Sequence, residues 1–215
     1  MKARLPPECD KNLCRALFES HRVTHTLREV NRYHQRYCAS EKWRDLMVGE
    51  VLPWVLDGVN LEGPILEIGP GPGLVTEALV RYGVADLTTL EIEPAAAEQL
   101  RDRYGDQVRV ETGDASAMPF GNASFATVVC CTMLHHVPTA QGQNQILAEA
   151  RRVLRPGGTL AGSDSRGGVR FRLIHLFDTH NPVDPLSFGD RLVAAGFDNV
   201  AVDPVKGRFR FRATA

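Results

Sequence analysis

The stretch Ile65-Leu66-Glu67-Ile68-Gly69-Pro70-Gly71-Pro72-Gly73 constrains this chain more than any other. It starts apolar, as a buried parallel strand should. It ends in three alternating glycines and runs into Leu74-Val75-Thr76-Glu77-Ala78-Leu79-Val80, which reads as a helix. Strand, glycine turn and helix make the first unit of a nucleotide-binding α/β fold. The glycines let backbone approach a ligand that a side chain would block, and the helix start offers free N–H groups and a positive dipole end.

The spacing separates cofactor classes. A dinucleotide fingerprint asks for G-x-G-x-x-G. Counted from Gly69, its last position falls on Leu74. Glu67 stands two residues before the first glycine, where a carboxylate suits a cationic ligand better than a pyrophosphate.

From Pro64 onward the chain alternates strand and helix. Strands are expected at 86–92, 107–111 and 124–131, the last strongly apolar and so central. Pro94 sits where a first-turn proline belongs. A helix from about Thr139 is stopped by Arg155-Pro156-Gly157-Gly158, and Thr159 begins a fifth strand. This alternation predicts a parallel sheet with right-handed crossovers. The tail reads as a helix at 186–195, then strands at 199–202 and 208–212 whose short connection makes them antiparallel. Before the first strand the chain reads as helical and aromatic. Leu13 and Leu17 share one face, as do Tyr33 and Tyr37. Ser40 caps a helix carrying Trp43, Leu46, Met47, Val51, Trp54 and Val55, with Pro53 kinking or restarting it. Residues 1–58 are thus expected as a helical extension and lid, and 59–215 as the cofactor-binding domain.

A formal net charge of -1 excludes an overall basic field, so no nucleic-acid partner is expected. No apolar run is long enough to span a bilayer, and the N-terminus lacks the apolar core of a signal peptide, so a cytoplasmic location is expected. The five cysteines are odd in number and include no C-x-x-C, against a disulfide framework or structural zinc.

Glu91 ends the second strand, 24 positions after Glu67 and 18 after Gly73, and an acid about 20 residues beyond a glycine turn can accept from a ribose diol. Glu93 is the competitor. Asp114 ends the third strand in Gly113-Asp114-Ala115, so three acids are expected to project from three consecutive strand ends. These motifs, with Met133-Leu134-His135-His136-Val137 and Val153-Leu154-Arg155-Pro156-Gly157-Gly158, resemble in order and spacing the class I S-adenosylmethionine (SAM)-dependent methyltransferases, nearest the ubiquinone-biosynthesis-type, methyltransferase type 11 group. The likeness covers about residues 31–212. It implies a Rossmann-like, doubly wound, seven-stranded sheet, mostly parallel with a C-terminal antiparallel hairpin. It implies SAM as cofactor, S-adenosylhomocysteine as product and a small organic molecule as methyl acceptor. By the same resemblance, the cradle is Gly69, Pro70, Gly71 and Gly73, with Glu67 and Gly69 at the methionine end. Glu91 holds the ribose hydroxyls. Asp114, after Gly113, accepts the adenine amino group, with Ile92 and Ala115 beside the ring. Cys131, Thr132 and Met133 line the sulfonium side. One departure is Phe125-Ala126 where many relatives carry Phe-Asp.

SAM brings an activated methyl group, so a base matters only if the acceptor must lose a proton. His136 and His135 are the candidates, because they follow strand four; helix capping or core packing is the structural alternative. His175, Asp178 and His180 have metal-like spacing, but their neighbours Leu173, Ile174, Leu176 and Phe177 read as packing, and no metal site is expected. Cys130 and Cys131 read as buried small hydrophobes; the Pro-Cys context of RNA cytosine methyltransferases and the Asn/Asp-Pro-Pro-Tyr signature of amino-directed DNA methyltransferases are both missing. Arg208, Arg210 and Arg212 alternate with Phe209 and Phe211, which reads as a core face backed by a solvated face. The lid is expected from Tyr33, Tyr37 and Trp43, with Arg32 and Arg36 to meet an acidic acceptor and 170–181 as the opposite wall. The rival functions are a nicotinamide-dependent oxidoreductase, disfavoured by Leu74 and Glu67, and a non-catalytic SAM-binding module. The sequence leaves acceptor atom and oligomeric state open.

Overall fold

The computed structural model describes residues 36–38, 40–168 and 181–215. Leu13, Leu17, Arg32, Tyr33, His175, Asp178, His180 and most of the expected wall lie outside these residues.

Seven strands form one sheet: β1 (Ile65–Ile68), β2 (Leu87–Glu91), β3 (Arg109–Thr112), β4 (Phe125–Cys131), β5 (Leu154–Ser165), β6 (Asp198–Val205) and β7 (Arg208–Thr214). Their order is β3-β2-β1-β4-β5-β7-β6. β1 to β5 pair in parallel, and β7 runs antiparallel to both β5 and β6. This is the expected doubly wound architecture. The order reverses between β1 and β4, and such a switch point opens a crevice at the strand C-termini.

The helices are α1 (Glu41–Leu46), α2 (Leu52–Val55), α3 (Leu74–Arg81), α4 (Pro94–Tyr104), α5 (Ala140–Val153) and α6 (Pro185–Ala194). Their starts are chemically marked. Ser40 Oγ accepts from Trp43 N at 3.2 Å, Thr139 Oγ1 from Gly142 N at 3.0 Å and Asp184 Oδ1 from Leu186 N at 3.1 Å. Each such cap is worth about 1 kcal/mol. One face of the sheet buries α3, α4 and the N-terminal helices, and the other buries α5 and α6.

Pro53 acts as expected, with a detail the sequence did not show. Between α1 and α2 the backbone widens into a π-helical turn, Met47–Val51, with Leu52 N reaching Met47 O. Proline has no N–H to donate and its ring crowds the carbonyl four residues back, so the turn before it opens. The segment is firmly seated. Met47, Val51, Leu52 and Val55 are buried with Ile65, Leu79, Val129 and Ala161. Arg44 bridges to Glu77 at 3.1 Å.

Strand β7 carries this segment and corrects one expectation. Phe209 and Phe211 are buried against Phe188 of α6, ring centroids 5.5 and 5.0 Å apart. The opposite face is only partly solvated. Arg210 donates to Trp54 O at 2.6 Å and lies 5.1 Å over the Trp54 ring, and Arg212 donates to Asp57 O. The period-two pattern was right, but a second layer covers the charged face. A second correction concerns the start of β5: the helix does stop before Arg155, but the strand begins at Leu154 rather than Thr159, so residues 155–158 belong to it. Gly157 N and Gly158 O bond to Ala215, so strand pairing takes over where the helix ends.

Candidate functional site

The three motif glycines all adopt left-handed φ: 66° at Gly69, 52° at Gly71 and 82° at Gly73. Their surroundings differ. A Cβ on Gly69 would overlap Met133 Cγ, and one on Gly73 would come 2.6 Å from Leu100 Cδ2. A Cβ on Gly71 would meet nothing within 4 Å. The outer glycines therefore serve packing and the turn, while the middle one presents bare backbone to open space.

Glu91 is bound to that same residue. Its buried carboxylate accepts from Gly71 N and from Glu93 N, both at 3.0 Å. Beside it Ile92 is 61% exposed, an apolar surface at the end of β2. Gly113 N donates to Glu91 O at 2.9 Å, which draws the β3 end alongside. Asp114 is exposed and caps the short 3-10 turn Ala115–Ala117, accepting from Ser116 N at 2.8 Å. The following loop is held from α5. Glu149 accepts from Met118 N at 2.7 Å, and Arg152 donates to Met118 O, Phe120 O and Asn122 Oδ1. The Arg152 guanidinium keeps the Glu149 carboxyl below its usual range. This clamp was not read from the sequence.

Glu67 is placed differently from the other two acids. It lies within β1, 2% exposed, beneath the glycine turn rather than projecting from the strand end. Thr76 Oγ1 of α3 donates to it at 2.7 Å. Burial pushes its pKa up to about 7, and the nearby Glu91 carboxylate adds to the rise, while the Thr76 hydroxyl opposes it.

Across the switch point, Cys130 and Cys131 are buried at the end of β4, and burial lifts the Cys131 thiol to about 12. Both are therefore poor nucleophiles. Thr132 has φ 53°, an uncommon conformation for a β-branched residue, and its N–H bonds Ser163 O at 2.7 Å. Met133 packs over Gly69. In the 3-10 turn Leu134–His136, His135 is buried with Nδ1 2.6 Å from Asp164 Oδ1, and its backbone N–H donates to Asp164 Oδ2 at 3.3 Å. His136 is half-buried, its ring 4.1 Å from that of His135. Gln143 of α5 steadies this corner, donating to Leu134 O at 3.0 Å and Asn181 O at 2.9 Å. Asp164 was missed in the sequence. Its signal was the one that singled out Glu91, an acid near the C-terminal end of a strand. Among the described residues no cluster could hold a metal ion, and no helix is long and apolar enough to cross a membrane.

Around the turn, Gly71 leaves open space on its Cβ side, Glu91 and Asp114 carry acceptor oxygens, Ile92 exposes an apolar face, and Glu67 is a buried carboxyl.

Residues 66–162 match the family model described as a methyltransferase domain. Among curated proteins, the 27-O-demethylrifamycin SV methyltransferase of Amycolatopsis mediterranei is 35% identical over 46% of this chain and 38% of its own length. The ribosomal RNA small subunit methyltransferase A of Cupriavidus pinatubonensis is 32% identical over 41% of this chain and 33% of its own length. The chain thus spans less than two-fifths of either relative. Among solved structures, the trans-methyltransferase CalH in complex with SAH superposes with a TM-score of 0.64 at 18% identity, covering 85% of this chain and 62% of that one. That likeness shows the fold.

Proposed function

We propose that this chain, which carries a methyltransferase domain, transfers the methyl group of SAM to a small organic acceptor. The observation that carries the reading is the middle glycine of the turn, open on its Cβ side and hydrogen-bonded through its N–H to the buried Glu91 carboxylate. When bound, SAM supplies a methyl group already activated on a sulfonium. The protein supplies position and dryness. Gly69, Pro70, Gly71 and Gly73 hold the cofactor against backbone. Glu91, pre-oriented by two N–H groups, accepts from ribose hydroxyls. Gly113, Asp114, Ala115 and Ile92 frame the adenine. Glu67 faces the cationic end, and Cys131, Thr132 and Met133 border the transfer point.

For an acceptor that must lose a proton, the histidine pair is the group in place. Asp164 pairs with His135 Nδ1 at 2.6 Å, which fixes the orientation of the ring. His136 is the more accessible of the two rings. The segment at 41–56, anchored on the sheet, is proposed to continue toward the strand ends as the acceptor roof, with Tyr37 against Trp43 at 5.3 Å as its aromatic edge. Removing the residues before Ser40 should leave SAM binding within a few-fold and abolish turnover.

Small acceptors are favoured over RNA because Arg210 and Arg212, the strongest basic feature of the sequence, are engaged with Trp54, Asp203 and Asp57. The test is calorimetric titration with SAM, S-adenosylhomocysteine and NAD, followed by transfer of labelled methyl to panels of phenols, quinols and RNA. Binding of NAD in place of SAM would sink the proposal, and labelling of RNA alone would overturn the acceptor class.

A further inference from the structure

We propose that Arg208 is the anion-recognising residue of the acceptor pocket, so that the acceptor carries a carboxylate; the assignment rests on the methyl-transfer reading above. Three arginines share one face of β7, and two are engaged with the N-terminal segment. The Arg208 side chain makes no hydrogen bond or ion pair with the described residues. Yet it is half-buried, and burial lowers its pKa from the ordinary value. Tyr37 and Glu50, both on the N-terminal side, are near enough to favour its charge without bonding to it. A guanidinium partly removed from water and without a hydrogen-bonding partner among the described residues is one that a bound anion would complete.

Its position says which ligand. Arg208 begins β7 and pairs with Ser165, the last residue of β5. The antiparallel run of β7 thereby brings it to the sheet end where β1 to β5 terminate. Ser165 follows Asp164, which holds His135. Paired residues share a sheet face and successive residues alternate. Arg208 and the His135–Asp164 pair thus flank the end of β5 from opposite faces, with the end of β4 alongside. An acceptor lying across β4 and β5 would present its reacting atom toward Met133 and the histidines and its far end toward Arg208. The planar fork of arginine matches a carboxylate in bidentate fashion.

The test uses the full chain, labelled with ¹⁵N-arginine and saturated with S-adenosylhomocysteine. Benzoate is the probe and benzyl alcohol its uncharged counterpart. Benzoate should move the Arg208 Nε–H resonance, assigned by its loss in Arg208→Lys, and benzyl alcohol should not. Arg208→Gln should weaken benzoate roughly tenfold or more, while S-adenosylhomocysteine affinity stays as in the parent and the melting temperature does not fall. An unmoved resonance, or benzoate bound equally by Arg208→Gln, overturns the proposal. Failure of S-adenosylhomocysteine to bind at all would remove the methyl-transfer reading and this proposal with it.

Discussion

Replacing Glu67 by Gln should make the ligand-free protein more stable at alkaline pH. The carboxyl sits beneath the glycine turn with one hydroxyl donor, Thr76, and a second carboxylate, Glu91, nearby. Its proton affinity in the fold corresponds to a pKa of about 7 against an ordinary 4.5. Each tenfold change in proton affinity is worth about 1.4 kcal/mol, so this gap amounts to about 3 kcal/mol. The sign follows from which state holds the proton. Below 4.5 both folded and unfolded chains are protonated, and the neutral buried carboxyl is tolerated. Between 4.5 and about 7 only the folded state keeps the proton, so stability falls as pH rises. Above that the loss is complete and the contribution is flat. Glutamine has the same shape without the charge. Urea unfolding of both proteins across this window should give curves that coincide near the acidic end and separate by up to about 3 kcal/mol near pH 8, the variant being the more stable. Parallel curves would refute the argument, because they would mean that Glu67 titrates alike in both states. The same variant should lose affinity for SAM, since the buried charge that burdens the empty fold is what meets a cationic ligand.

Three further outcomes are expected. Glu91→Ala should weaken SAM binding by roughly ten- to a hundredfold in calorimetry, because charged acceptors are worth about 1.5–3 kcal/mol, while Glu93→Ala changes little; the reverse ranking would misplace the ribose acceptor. Gly71→Ala should reduce SAM affinity more than melting temperature, and Gly73→Ala, whose Cβ meets Leu100 at 2.6 Å, should do the opposite; equal effects in both assays would contradict the distinct roles of the two glycines. Asp164→Asn should leave S-adenosylhomocysteine binding intact but lower turnover and displace its pH profile, and an unchanged profile would move the base away from His135.

How much of this was legible follows from the kind of physics involved. The sheet was readable because its parallel strands are apolar runs and its turns carry glycines and prolines. The glycine turn was readable because left-handed φ at three alternating positions leaves glycine as the ready choice. Asp164 went unread because a single acid near a strand end has no local partner in sequence; its partner, His135, is 29 positions away. The burial of Glu67 went unread for the same reason, since alternation within a strand does not reveal which helix will cover it. The arginine face of β7 was taken for solvent because a period of two distinguishes faces, and only tertiary packing decides what covers them.

The layering of β7 also dictates an order of assembly. Its contacts reach back to Trp54 and Asp57, more than 150 positions earlier. Moreover β7 lies between β5 and β6, so the last strand in sequence inserts between two that precede it. A nascent chain without it would leave Phe188 without its two aromatic partners and β5 with an open edge. Such distant closures fold slowly and expose sticky edges meanwhile. The strand that locks both the early helices and α6 therefore takes its place only after the neighbours on its two sides have been made.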